Sequence, residues 1–153
     1  MINVEQSIVI DRPAWEVFAF VGDQTNAPRW QRGLREVRRM TDGPIGVGTR
    51  HLFVRTLMGR RMEGANEYTR YEPDEVVAFK ATSGGWPLAA SYSLVPYGGS
   101  RARLTARIEL HPTGPFRLLE PLLSAALRRD LRTNLPVLKV LLEGGDQTTP
   151  DAG

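Results

Sequence analysis

The chain has 153 residues, 41% of them hydrophobic and 24% charged, which is enough to bury one core and is ordinary for a globular domain. It contains no cysteine, which excludes disulfides, thiolate metal sites, iron-sulfur clusters and thiol nucleophiles together. The net charge of +3 is carried by arginine and falls short of the basic stripe of a dedicated nucleic-acid binder, so no nucleic-acid partner is expected.

The first ten residues lack a basic segment followed by an uninterrupted apolar run, and no apolar stretch approaches the length of a membrane span. A cytoplasmic protein without a secretory leader is expected. Residues 3 to 10, rich in Val and Ile, predict a strand. Asp11-Arg12-Pro13 then offers a capping oxygen and a first-turn proline for a short amphipathic helix through Ala14, Trp15, Val17, Phe18 and Val21. A second short helix or turn is expected around Asn26-Ala27-Pro28-Arg29-Trp30.

From about Gly33 the chain alternates between apolar or β-branched segments and tight-turn chemistry, such as Gly43-Pro44, Met58-Gly59, Glu72-Pro73-Asp74, Gly84-Gly85 and Gly98-Gly99. Six strands are predicted near 34–40, 48–58, 61–71, 75–82, 88–96 and 101–110, forming an antiparallel meander with one dry and one wet face. After Pro115 the period becomes helical. Leu119, Leu123, Leu127, Leu131, Leu135, Leu138 and Leu142 fall on one stripe, with Arg128, Arg129, Arg132 and Lys139 opposite. Pro121 suits the first turn of this helix, and Pro136 lies inside it. The domain is expected to span 1–143, with a frayed tail over 144–153.

Several phrases resemble a known family: Ile10-Asp11-Arg12-Pro13-Ala14-Trp15-Glu16-Val17-Phe18, Asn26-Ala27-Pro28-Arg29-Trp30, Gly46-Val47-Gly48-Thr49-Arg50, Tyr71-Glu72-Pro73 and Leu135-Pro136-Val137-Leu138-Lys139. In this order, over about residues 2 to 143, they resemble the START-like (SRPBCC) superfamily in its polyketide cyclase/dehydrase-like branch. The resemblance implies an α+β helix-grip fold, with a curved antiparallel sheet of about seven strands wrapped around the long C-terminal helix and two short helices after the first strand. It also implies a cavity for an apolar small molecule such as a lipid or polyketide. Neither a cofactor nor a metal is implied, and fold alone does not specify a reaction.

Within that frame, Trp30, Phe53, Tyr68, Phe79, Trp86 and Tyr92, with Leu119, Leu123 and Leu127 of the helix, are the expected ligand-binding residues, against plain core packing as the competing role. His51 and Arg55 are the candidate catalytic residues for a cofactor-free cyclase or dehydratase, the imidazole accepting a proton and the guanidinium, or a tyrosine in its place, polarising a carbonyl. Strand alternation puts His51, Phe53 and Arg55 on one face, but Leu52 and Val54 claim the dry face equally well. The two histidines, His51 and His111, lie in separate segments and have no ligand spacing for a metal. The run Arg29, Arg32, Arg35, Arg38 and Arg39 reads as a solvated face, and the basic side of the last helix would suit contact with an anionic membrane. Binding or transport of an apolar ligand is the leading expectation, the cyclase or dehydratase is the alternative, and a module that presents its sheet or basic helix to another protein is a third reading.

Overall fold

The computed structural model describes residues 1–57 and 59–148. Strand β1 (Ile2–Ile10) leads into helix α1 (Ala14–Val21) and a 3-10 turn (Gln24–Arg29). Six more strands follow: β2 (Leu34–Arg39), β3 (Arg50–Leu57), β4 (Arg60–Glu72), β5 (Val76–Ser83), β6 (Leu88–Tyr97) and β7 (Arg101–Leu110). A second 3-10 turn (Gly114–Leu119) opens onto helix α2 (Glu120–Thr148). Apart from the second 3-10 turn, these are the elements expected from the sequence, in the expected order.

All seven strands form one antiparallel sheet in the order β1-β7-β6-β5-β4-β3-β2. Short hairpins make each strand from β3 to β7 the neighbour of the next, and a longer connection over residues 40–49 joins β2 to β3. The α1 segment carries the chain from β1 at one edge to β2 at the other. Bulges between β2 and β3 and at two places between β4 and β5 interrupt the register, and such insertions bend a sheet. The alternation is plain along β7, where Ala102, Leu104 and Ala106 are buried while Arg101, Arg103 and Arg107 are exposed.

The core lies on the concave side. Leu131, Leu135, Leu138 and Leu142 of α2 share it with Ile2, Val4 and Ile10 of β1 and with Val17, Phe18 and Val21 of α1. A polar tie reinforces this end of the helix. Glu143 Oε2 accepts from the Asp11 amide at 2.7 Å and from Lys139 Nζ, Lys139 Nζ also donates to the Val9 carbonyl at 2.9 Å, and an Arg12 guanidinium N–H reaches the Glu143 carbonyl at 2.7 Å.

Three local expectations are corrected. Asp11 does not cap α1: Pro13 occupies the N-cap, its carbonyl accepts from the Glu16 and Val17 amides, and the Asp11 amide is engaged by Glu143. Leu119 ends the 3-10 turn ahead of α2 and is 43% exposed, because the tighter winding there breaks the phase of the leucine stripe. The final helix continues to Thr148, into the segment expected as a tail, and residues 149–153 lie outside the described residues.

Candidate functional site

The two halves of α2 do different work. Its C-terminal half plugs the core, whereas Leu123 and Leu127, half-buried and four residues apart, roof a cavity of about 350 Å3. Phe53 of β3, Phe79 of β5, Leu88 of β6 and Leu110 of β7 line the sheet side, and Trp86 and Met62 border it. Phe53 is seated by Gly64, its cross-strand partner on β4. A Cβ on Gly64 would lie 2.5 Å from the Phe53 ring, so only glycine leaves room for the ring at that point.

The walls are apolar apart from Asn66, Arg55 and Asp130. Burial pushes the Arg55 guanidinium below its ordinary value, against the opposing influence of Tyr92 and Asp130, and an arginine so placed still keeps its charge at neutral pH. Its guanidinium carbon lies 6.0 Å from the Phe53 ring centroid. The face ambiguity on β3 is thereby resolved: Phe53 and Arg55 line the cavity.

His51 follows the same alternation but lies behind the cavity wall. It is 0% exposed, its ring packs 5.2 Å from that of Tyr68, and it lines neither this cavity nor the smaller chamber beside it. Neither ring nitrogen has a hydrogen-bond partner among the described residues. Burial lowers its pKa, Asp23 opposes that shift and Arg39 adds to it, so the imidazole is neutral at physiological pH. Tyr68 is also removed from the ligand side. Its hydroxyl donates to the Gly22 carbonyl at 2.7 Å and accepts from the Gln24 amide at 3.3 Å, which ties β4 to the end of α1 instead of offering a donor to a guest.

The second, smaller chamber of about 50 Å3 lies between the sheet and the first 3-10 turn. Trp30 and Tyr92, whose rings meet edge to face at 5.7 Å, form part of its wall. Phe53, Asn66 and Phe79 border both chambers, which adjoin at these side chains. Asn66 Nδ2 donates to Gln24 Oε1 at 2.9 Å, and Gln31 Nε2 donates to the Tyr92 hydroxyl at 3.0 Å. Burial pushes the Tyr92 phenol up to about 12, although the Gln31 hydrogen bond and Arg55 pull the other way, so it keeps its proton at neutral pH.

Sequence reasoning therefore named Trp30, Phe53, Phe79, Trp86, Tyr92, Leu123, Leu127 and Arg55 among residues that line the two chambers. It included Leu119 and Tyr68, which line neither, and missed Gln24, Gln31, Asn66 and Asp130. Asn66 carried a usable signal. It stands between Gly64 and Tyr68 in the buried phase of β4, a polar side chain where the alternation calls for an apolar one.

Among the described residues no three His, Asp or Glu side chains converge as a metal site would require. Arg29, Arg32, Arg35 and Arg38 are exposed, as a solvated face requires, and Arg39 is partly covered. Beside the larger cavity, Phe116 packs 5.1 Å from Trp86, and the adjacent Leu118 and Leu122 are 85% and 69% exposed. No helix among the described residues is long and apolar enough to cross a membrane.

A curved antiparallel sheet that grips one long C-terminal helix over an internal cavity is the helix-grip arrangement of START-like proteins. Three solved structures share it with this chain: a protein from Thermus thermophilus (TM-score 0.79, 16% identity, covering 94% of this chain and 98% of that one), an aromatase/cyclase from a Streptomyces species (0.73, 14%, 93% and 93%) and a START superfamily protein from Mycobacterium smegmatis (0.70, 15%, 92% and 97%). At these identities the likeness defines the fold alone. No curated protein sequence matches the chain significantly. Over residues 1–143, however, the sequence matches the family model described as polyketide cyclase / dehydrase and lipid transport, and the chain belongs to that family.

Proposed function

We propose that this protein binds and carries a small, largely apolar molecule, a lipid or polyketide-like metabolite, in the cavity between the sheet and the N-terminal half of α2. The observation that carries this reading is the 350 Å3 apolar space roofed by Leu123 and Leu127 and floored by aromatic rings. Removing apolar surface from water contributes about 25 cal/mol per Å2, so burying about 200 Å2 of a guest contributes roughly 5 kcal/mol before ordering costs. Arg55 orients the guest by taking a carbonyl or acidic group near the mouth. The exposed apolar edge at Phe116, Leu118 and Leu122, with Arg117 among it, supports loading from an anionic lipid surface.

Native mass spectrometry of the freshly purified protein, beside its denatured mass, tests the reading. A co-purified apolar adduct is expected, together with binding of a naphthalene-sulfonate dye that Leu127→Trp abolishes by filling the cavity. No adduct, and dye binding unaffected by Leu127→Trp, would overturn it.

A second reading is a cofactor-free cyclase or dehydratase working in the same cavity. It is favoured by Arg55, a cation inside an apolar space with Asp130 on the opposite helix, and by the fold shared with an aromatase/cyclase. Arg55 would polarise a ketone while a base removes the adjacent proton. His51 fills that role poorly because the Tyr68 ring stands against it. Turnover of a poly-β-ketone that survives His51→Phe but not Arg55→Leu would support this version, and turnover indifferent to Arg55→Leu would sink it.

A further inference from the structure

The small inner chamber carries more polar chemistry than its neighbours use. Asn66 and Gln24 are 6% and 7% exposed and bond to each other, yet Asn66 Oδ1 and Gln24 Nε2 have no partner among the described residues. Turning both amides over does not change the outcome: one carbonyl oxygen and one NH2 group of the pair are left over either way. The Tyr92 hydroxyl accepts from Gln31, and its own proton is directed to no acceptor among the described residues. A buried polar atom left unmatched costs about 1–3 kcal/mol, so a cluster of them beside a void is a site built for something that both donates and accepts.

The position of the chamber says what that something belongs to. Asn66 borders the large apolar cavity as well as the small chamber, and Phe53 and Phe79 border both beside it. A molecule lying in the outer cavity can therefore meet Asn66 with one end, and through it the Asn66–Gln24 pair. A volume of about 50 Å3 admits a single small group and not a second ring. Charge narrows the choice further, because Asp23 lines the chamber with no cation among the other lining residues, whereas Arg55 faces the outer cavity. A carboxylate end would be repelled here and drawn to Arg55 instead.

We infer that the inner chamber is a hydroxyl-recognition subsite: the ligand has an apolar body and a neutral alcohol or phenol hydroxyl at its deep end, which donates to the Asn66–Gln24 amide pair and accepts from the same pair or from Tyr92. The inference rests on the cavity reading above and adds to it the chemical class of the guest. It also gives a reason for a buried amide on β4, where the strand pattern calls for an apolar side chain, and for its buried partner in the first 3-10 turn.

The test compares 2-naphthol with 2-methylnaphthalene, which differ only in a hydroxyl or methyl at one position, by calorimetric titration into the full-length protein. Each affinity is referenced to transfer of the same compound from water to cyclohexane. After that correction the wild type should favour 2-naphthol at least tenfold. Asn66→Leu/Gln24→Leu, which replaces both partners with apolar groups of similar volume, should remove the preference and leave 2-methylnaphthalene binding in place. Equal corrected affinities in the wild type would overturn the subsite while leaving the apolar cavity standing, as would a preference that survives the double substitution. Failure of the wild type to bind either compound would overturn both readings together. The wild-type comparison needs no variant, so it decides the matter even if the double substitution does not fold.

Discussion

The hydroxyl of Tyr68 offers the sharpest check on how the site is held. Tyr68→Phe changes one atom in a fully buried ring that packs against His51, Tyr71 and Phe79, so shape is retained and only the polar tie is lost. Two buried backbone groups then lose their partner: the Gly22 carbonyl, bonded at 2.7 Å, and the Gln24 amide, bonded at 3.3 Å. Each unmatched group costs about 1–3 kcal/mol, and the longer bond belongs at the low end, so a loss of about 2–4 kcal/mol is expected. At this chain length that corresponds to roughly 5–15 °C in Tm. Urea unfolding followed by tryptophan fluorescence and far-ultraviolet dichroism would measure it, with the slope unchanged because the exposed area is unchanged. Because Gln24 is fixed at this junction, the preference for 2-naphthol should weaken in the same variant. A loss below about 0.5 kcal/mol would refute the reasoning, since it would mean that the turn after α1 satisfies its own backbone without the tyrosine.

Other outcomes follow from the same geometry. Burial holds the His51 pKa below its ordinary 6.5, so stability is fully present above that value and declines as the pH falls below it. His51→Phe should flatten Tm between pH 5 and 7 at little cost at pH 7, since neither ring nitrogen has a partner among the described residues, and a loss above about 2 kcal/mol would mean that one of them is engaged. The Glu143 carboxylate works in the opposite sense to its burial: desolvation raises its pKa, but Lys139, the Asp11 amide and Arg12 together bring it below the usual carboxylate range. Its contribution is present above the unfolded value and lost as the pH falls through the folded one, so Glu143→Gln should be most damaging near neutrality and close to wild type in strong acid, measured by thermal melts across pH 2–7. The division of labour along α2 predicts that Leu138→Ala costs about 2–5 kcal/mol, whereas Leu123→Ala, over the cavity, costs far less in denaturant unfolding and acts instead on ligand affinity. Leu118→Ser/Leu122→Ser should reduce co-sedimentation with anionic phosphatidylglycerol vesicles and leave solution binding of 2-naphthol unchanged.

Local chemistry written along the chain determined most of the fold. Turn residues such as Glu72-Pro73-Asp74 and Gly98-Gly99, set between β-branched segments, place hairpins because few residues adopt the backbone angles those turns demand; Asp74 does so here with φ of 67°, and Gly98 and Gly99 also have positive φ. The leucine period after residue 119 marks α2 for a related reason, since a stripe at that spacing has to be covered. The site was legible only in part. Leu119 stood in phase by count, but a 3-10 start shifts the phase, and winding at a helix end depends on what it packs against. Tyr68 and Tyr92 are equivalent in the sequence, each a phenol on an inward strand position, yet one bonds to backbone and the other faces a void.

The pairing of Asn66 with Gln24, 42 residues apart, could not be read from either residue alone. Sequence by itself determined which segments become strands and helices and which residues are apolar enough to be buried, because those are properties of neighbours in the chain. Only the tertiary structure decided which polar groups meet, which face of β3 looks into the cavity and which half of α2 plugs the core while the other roofs the site. Those outcomes depend on sheet curvature and on contacts between residues far apart in the chain, which no local pattern encodes.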